Sequence, residues 1–176
     1  MTNPSLRRKR MRLRNYDYST AGAYFVTICT QERECLFGDI VDGGMKLNEF
    51  GQIVQSIWHD LPARFPDIQL GEFIVMPNHV HGIIIIIHRN NNPVGAIHEL
   101  TLRHNERRQM LLPNIIGYFK MNTAKRINQL RDLRGMPVWQ RNYYDRVIRN
   151  DQEFNQTRQY IIDNAKNWEK DENFVK

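Results

Sequence analysis

The sequence predicts an α/β fold of the α+β kind: a ferredoxin-like split sandwich, with a mostly antiparallel sheet, helices packed on one face and an additional C-terminal helix. Three observations lead there. Segments rich in β-branched and aromatic residues alternate with segments whose apolar residues recur at helical spacing. Their order is strand, strand, helix, strand, strand, helix and a further helix, and each helix has an apolar stripe that needs a sheet to cover. The 176 residues, 41% hydrophobic and 25% charged, suit one soluble domain that buries roughly two-thirds of its unfolded surface.

Residues 23–30 (Ala-Tyr-Phe-Val-Thr-Ile-Cys-Thr) read as a strand, and 38–41 as a shorter one closed by a turn at Gly43 and Gly44. Asn48 caps a helix marked by Ile53, Val54, Ile57, Trp58 and Leu61, with Pro62 at its exit. Residues 70–76 form a strand, Pro77 and Asn78 a turn or bulge, and 79–88 another strand. Periodicity does not tell its five consecutive isoleucines from a buried helix, but their β-branching and the brevity of the run favour a strand at the sheet centre. Asn90, Asn91, Asn92 and Pro93 open a polar loop at about 89–112. Pro113 then starts a helix with Ile115, Ile116, Phe119, Thr123, Ile127 and Leu130 on one face and Lys120, Lys125 and Arg126 on the other. Gly135 and Pro137 end it. Residues 138–148 are extended and aromatic, and Asp151 caps a last helix reaching about Trp168. The division is a basic arm (1–22), a single domain (23–170) and a tail (171–176).

Two cysteines, Cys29 and Cys35, exclude a disulfide-rich scaffold and a four-cysteine zinc site, and they suit a reduced, cytoplasmic chain. The longest apolar run, 82–87, is too short to span a bilayer, so no membrane role is expected. The net charge of +6 is unevenly placed. Arg7, Arg8, Lys9, Arg10, Arg12 and Arg14 crowd the start with no acid among them, and no apolar stretch of signal-peptide type follows. Such clusters attract polyphosphates, which ranks nucleic acid ahead of an anionic membrane surface or simple solubility. Arg10, Arg12 and Arg14 on the arm, and Lys120, Lys125 and Arg126 on the helix, are the candidate backbone contacts.

The sharpest local feature is His79-Val80-His81. Two residues apart in a strand, the imidazoles share a face. Such a pair suits zinc, manganese, cobalt or nickel, and magnesium where oxygen ligands complete the set. It equally describes two core histidines. The last helix offers further groups at four-residue spacing: Gln156, Tyr160 and Asn164. Asn164 as ligand and Tyr160 as nucleophile would complete a site; a half-buried tyrosine and a helix-end asparagine are the plainer alternative.

Four ordered blocks carry a resemblance. They are residues 16–31 (Tyr-Asp-Tyr-Ser and then Gly-Ala-Tyr-Phe-Val-Thr-Ile-Cys-Thr-Gln), 76–82 (Met-Pro-Asn-His-Val-His-Gly), 138–149 (Val-Trp-Gln-Arg-Asn-Tyr-Tyr-Asp-Arg-Val-Ile-Arg) and 158–168 (Arg-Gln-Tyr-Ile-Ile-Asp-Asn-Ala-Lys-Asn-Trp). The chain resembles, from about Arg12 to Trp168, the single-tyrosine transposases with a histidine-hydrophobe-histidine (HUH) motif. Within them it is most similar to the branch associated with repetitive extragenic palindromes (REP). The resemblance implies a transposase that cleaves single-stranded DNA at or near hairpins. It implies Mg²⁺ or Mn²⁺ on His79, His81 and Asn164, and Tyr160 as the nucleophile, forming a 5′-phosphotyrosine and releasing a 3′-hydroxyl for later rejoining. It implies a protein on the nucleoid when DNA-bound, and it leaves monomer and homodimer both open. Trp139, Gln140 and Arg149 match the third block, with Trp139 either a core anchor or a stacking platform. Arg146 stands where many relatives have histidine; arginine stays protonated and suits a phosphate contact. Tyr143 and Tyr144 are rival tyrosines, and as neighbours in extended chain they face opposite ways. A non-catalytic DNA-binding protein and a metal-dependent hydrolase using water are the other classes; a covalent adduct separates both from a transposase.

Overall fold

A computed structural model describes residues 17–87 and 110–174. Its elements are β1 (Gly22–Cys29), β2 (Gly38–Val41), β3 (Gly44–Leu47), α1 (Glu49–His59), α2 (Leu61–Arg64), β4 (Ile68–Met76), β5 (His79–Ile86), α3 (Leu111–Leu130), β6 (Tyr144–Ile148) and α4 (Asp151–Asp163). A 3-10 segment, Ala165–Lys170, follows α4. Four strands make one antiparallel sheet in the order β4-β5-β1-β6. With α1 between β1 and β4, and α3 between β5 and β6, the succession is β-α-β-β-α-β with its first and third strands in the centre. This is the split sandwich that the element order predicts. Residues 1–16 of the arm, with Arg10, Arg12 and Arg14, and nearly all of the polar loop lie outside the described residues, whereas Tyr18, also placed in the arm, is buried in the core.

Strand periodicity divides the side chains between two cores. Tyr24, Val26 and Ile28 of β1 and Val80, Ile84 and Ile86 of β5 face α1 and α3, packing with Val54, Trp58, Ile115 and Phe119. Phe25 and Ile83 face the other way, against Ile148 of β6 and Ile161 of α4. The isoleucine run is covered from both sides, which is why it shows no alternation. Gly82 interrupts the bulky sequence for a steric reason: a Cβ there would run into the Trp58 indole, which stacks on Phe73 at 4.4 Å between centroids.

Several local expectations are corrected. The turn after β2 falls at Asp42 and Gly43, with φ of 51° and 73°, the geometry of a type I′ hairpin. It leads into β3, a strand too short and too poor in β-branched residues to stand out. Pro62 sits in the first turn of α2 and does not end a helix there. The loop's last two residues, Leu111 and Leu112, already belong to α3. The cap of α4 is Asn150 and not Asp151, its side chain accepting from the Glu153 N–H at 2.8 Å. That helix ends at Asp163, and the chain continues to Trp168 only as irregular 3-10 turns broken at Asn167. Among the described residues no helix is long and apolar enough to cross a membrane.

Candidate metal and tyrosine site

β5 carries His79 and His81 on the face that α4 covers, both almost fully buried. In the register, His81 lies opposite Thr27 of β1 and His79 opposite Cys29. The two Nε2 atoms approach to 2.9 Å, and each Nδ1 is held from behind. His79 Nδ1 meets Asn78 Oδ1 at 2.8 Å, and His81 Nδ1 meets Thr27 Oγ1 at 2.8 Å. Asn78 spends its Nδ2 on the carbonyls of Arg33 and Asn173, so its oxygen only accepts. His79 therefore carries its proton on Nδ1 and turns a bare Nε2 inward. The Thr27 hydroxyl accepts or donates, and so supports either tautomer of His81. With His81 also protonated on Nδ1, two lone pairs face one point. Nitrogen ligands about 2.0–2.2 Å from one cation stand about 3 Å apart, close to the spacing here. Burial, with the neighbouring His81, pushes the His79 pKa down to about 3, so the ring stays neutral and free to ligate.

α4 is anchored by Ile161, fully buried against Phe25, Ile83 and Ile148. That anchor leaves Tyr160 at the histidines, its hydroxyl 3.3 Å from His81 Nε2 and its ring edge-on to Phe25 at 6.0 Å. One turn later comes Asn164, buried. Its Nδ2 donates to Asp171 Oδ2 at 3.0 Å, while its Oδ1 is buried with no hydrogen-bond donor. A buried amide oxygen without a donor is costly, and a cation would satisfy it. The structure thus brings His79, His81, Tyr160 and Asn164 together, and the residues fit a divalent ion.

Asp171 joins them, a residue that the sequence leaves in the tail. Its Oδ2 accepts from the Tyr160 hydroxyl at 3.1 Å and lies 3.7 Å from His81 Nε2. His79, His81 and Asp171 each offer a ligand atom within 4.8 Å of the others. Burial alone would raise the Asp171 carboxyl, but the His81 imidazole beside it and hydrogen bonds from the Asn173 N–H and Asn164 outweigh it and hold the group well below the usual range. Burial and then the Asp171 carboxylate push the Tyr160 phenol up, so the resting hydroxyl keeps its proton. Asn78 was also missed as a site residue, although it stands inside the Met-Pro-Asn-His-Val-His block. Asp171 has no signal in the sequence, because the fold alone returns 171–174 to β5.

The remaining predicted contacts scatter. Trp139 is a core residue and not an open stacking platform: its Nε1 donates to Thr123 Oγ1 at 2.8 Å, and its ring lies on Phe37 and Phe119. Lys120 donates to the carbonyls of Gln140 and Arg141, at 2.6 and 3.0 Å, and so ties α3 to the following segment. Lys125 and Arg126 are exposed on α3, across the sheet from Tyr160. Arg149 is exposed where β6 meets α4. Arg146 lies at the site, lining a cavity of about 360 Å³ with Tyr144, Thr157 and Tyr160. Tyr143 is buried in the core and Tyr144 is exposed, the opposite facing that extended chain requires.

No family model matches the chain. An uncharacterized protein of Haemophilus influenzae is 37% identical over 175 residues, 96% of this chain and 93% of that one. Among solved structures, a REP-associated tyrosine transposase bound to a REP hairpin aligns with a TM-score of 0.53 at 17% identity, over 88% of this chain and 73% of that one. This likeness is one of fold. A Deinococcus radiodurans protein held to be a transposase aligns at 0.47 and 18% identity, over 86% of this chain and 95% of that one.

Proposed function

The chain belongs to one family with the Haemophilus influenzae protein, and we propose that it is a REP-associated single-tyrosine transposase. On this reading it is a metal-dependent nuclease and strand transferase that cuts single-stranded DNA at or near a hairpin. The observation that carries the reading is the meeting of two strand-borne imidazoles, their Nε2 atoms 2.9 Å apart, with a tyrosine hydroxyl 3.3 Å from one of them. The fold shared with a hairpin-bound transposase supports it.

His79 and His81 would hold Mg²⁺ or Mn²⁺ with the Asn164 oxygen, and Asp171 stands close enough to join them. The ion, when bound, supplies positive charge against the phosphodiester oxygens and against the developing tyrosinate. Everything else falls to the chain. Thr27 and Asn78 orient the imidazoles. Phe25 braces the Tyr160 ring, and Asp171 Oδ2 receives the hydroxyl proton's hydrogen bond, which aims the oxygen's lone pairs elsewhere. Attack by Tyr160 forms an oxygen–phosphorus bond and breaks the bond to the 3′-oxygen, which leaves as a hydroxyl. The reverse attack by a 3′-hydroxyl frees Tyr160 and joins the strands without an external energy source.

Incubation with labelled hairpin-bearing single-stranded DNA and Mn²⁺, denaturing electrophoresis and peptide mapping test this. The expected result is a covalent adduct on Tyr160 that Tyr160→Phe abolishes without loss of fold. An adduct in Tyr160→Phe, or a wild-type adduct on Tyr144, overturns the assignment.

A further inference from the structure

We propose that the cavity between β6 and α4 is a subsite for one deoxynucleotide, the one adjoining the phosphate that Tyr160 attacks. Arg146 takes its phosphate and Tyr144 its base. This inference rests on the reading of Tyr160 as nucleophile.

The cavity of about 360 Å³ shares Tyr160 and His81 with the candidate centre, and its size suits a single nucleotide better than a duplex. Positions 144 and 146 of β6 point to the same side, opposite Thr27 and Phe25 of β1. The Arg146 guanidinium is held in a fixed attitude. One Nη2 donates to Thr157 Oγ1 at 2.8 Å, and its carbon lies 5.9 Å from the Phe25 ring centroid. Thr157 spends its own proton on the Glu153 carbonyl at 2.7 Å, so its lone pair is committed to the arginine. Among the described residues no carboxylate forms an ion pair with Arg146. A guanidinium fixed by a neutral hydroxyl and an aromatic ring keeps its full charge and its remaining N–H donors for an anion. Beside it, Tyr144 leaves 45% of its surface exposed, a ring placed as a stacking surface for a base.

Tyr160 also borders a second cavity of about 600 Å³, where Asp163, Asp171 and Glu172 outnumber Lys170. That acidic side repels a phosphate chain, and Arg146 marks the side by which DNA reaches the tyrosine. Gln156, one turn before Tyr160, and Glu172 line both cavities, so the Arg146 side carries one carboxylate where the other side carries three.

Thymidine 3′,5′-bisphosphate and inorganic pyrophosphate, titrated by NMR into cation-free protein, test the subsite without knowledge of any target sequence. Arg146→Gln should weaken both probes about tenfold or more. Tyr144→Ala should weaken the bisphosphate about fivefold and leave pyrophosphate unchanged. Thr157→Val, which keeps the charge but frees the guanidinium, should give an intermediate loss. The subsite is refuted if wild type does not bind the bisphosphate at millimolar concentration, or if Arg146→Gln and Tyr144→Ala leave binding intact. It is equally refuted if Lys125→Gln, across the sheet, costs as much as Arg146→Gln. A chain that binds as expected but forms no tyrosine adduct would retain the subsite and lose the transposase reading; an adduct without this binding pattern would do the reverse.

Discussion

Thr27 and Asn78 hold the Nδ1 atoms of the two imidazoles, and so turn each Nε2 toward the candidate centre. Removing such supports typically costs 10–100-fold in metal affinity. Thr27→Val should therefore weaken Mn²⁺ binding by about that factor, measured by calorimetry, and cost about 1–3 kcal/mol in stability, because it leaves the buried His81 Nδ1 without a partner. Asn78→Ala should cost at least as much and also lower stability, since it strands the Arg33 and Asn173 carbonyls. His79 gives a pH signature to the cation-free protein. It protonates near pH 6.5 when unfolded and at about 3 when folded. Between those values the unfolded chain binds the extra proton, so stability falls as pH drops through that window. Asp171 acts lower: its depressed carboxyl stabilises above about pH 3.8, and that contribution is lost only below it. Denaturant midpoints from pH 7 to pH 4.5 should fall in wild type and fall less in His79→Asn. Equal slopes would mean that the buried imidazole is not the group responsible.

At the scale of elements, β5 serves two layers at once. His79, His81 and Ile83 face α4, while Val80 and Ile84 face α1 and α3, and Gly82 between them makes room for Trp58. Gly82→Ala should cost about 1–3 kcal/mol in urea unfolding, because Trp58 is wedged between Phe73 and Phe119 and has nowhere to retreat. α4 is placed by Ile161 and, at its surface, by the Arg158–Glu72 pair at 2.6 Å. The pair is solvent-exposed and contributes little, so the apolar anchor sets where Tyr160 stands.

Across the whole molecule, the sheet separates the candidate centre from the basic face of α3. The double variant Lys125→Gln, Arg126→Gln should flatten the salt dependence of DNA binding by about two counterions and leave adduct yield at saturating DNA unchanged. A lost adduct at saturation would place those cations at the reacting strand instead. Trp139 belongs to the α3 side as a core residue, and Trp139→Ala should cost about 3–5 kcal/mol in unfolding free energy while leaving the bisphosphate subsite intact in the folded fraction.

How much of this was legible follows from the range of each cause. The helices at Asn48 and Pro113, the isoleucine strand and the shared face of His79 and His81 rest on periods of 3.6 and 2, which local residues impose. The i, i+4 relation of Tyr160 and Asn164 is equally local. The Asn48 cap of α1 was legible too, but short β3 and the cap of α4 were not, because pairing and cap geometry select among several permissible residues. Asp171 at the tyrosine, Thr27 behind His81, Trp139 in the core and Arg146 on Phe25 were decided by tertiary structure alone. Each depends on which strands become neighbours, and contacts between residues far apart in sequence leave no period for a reader to find.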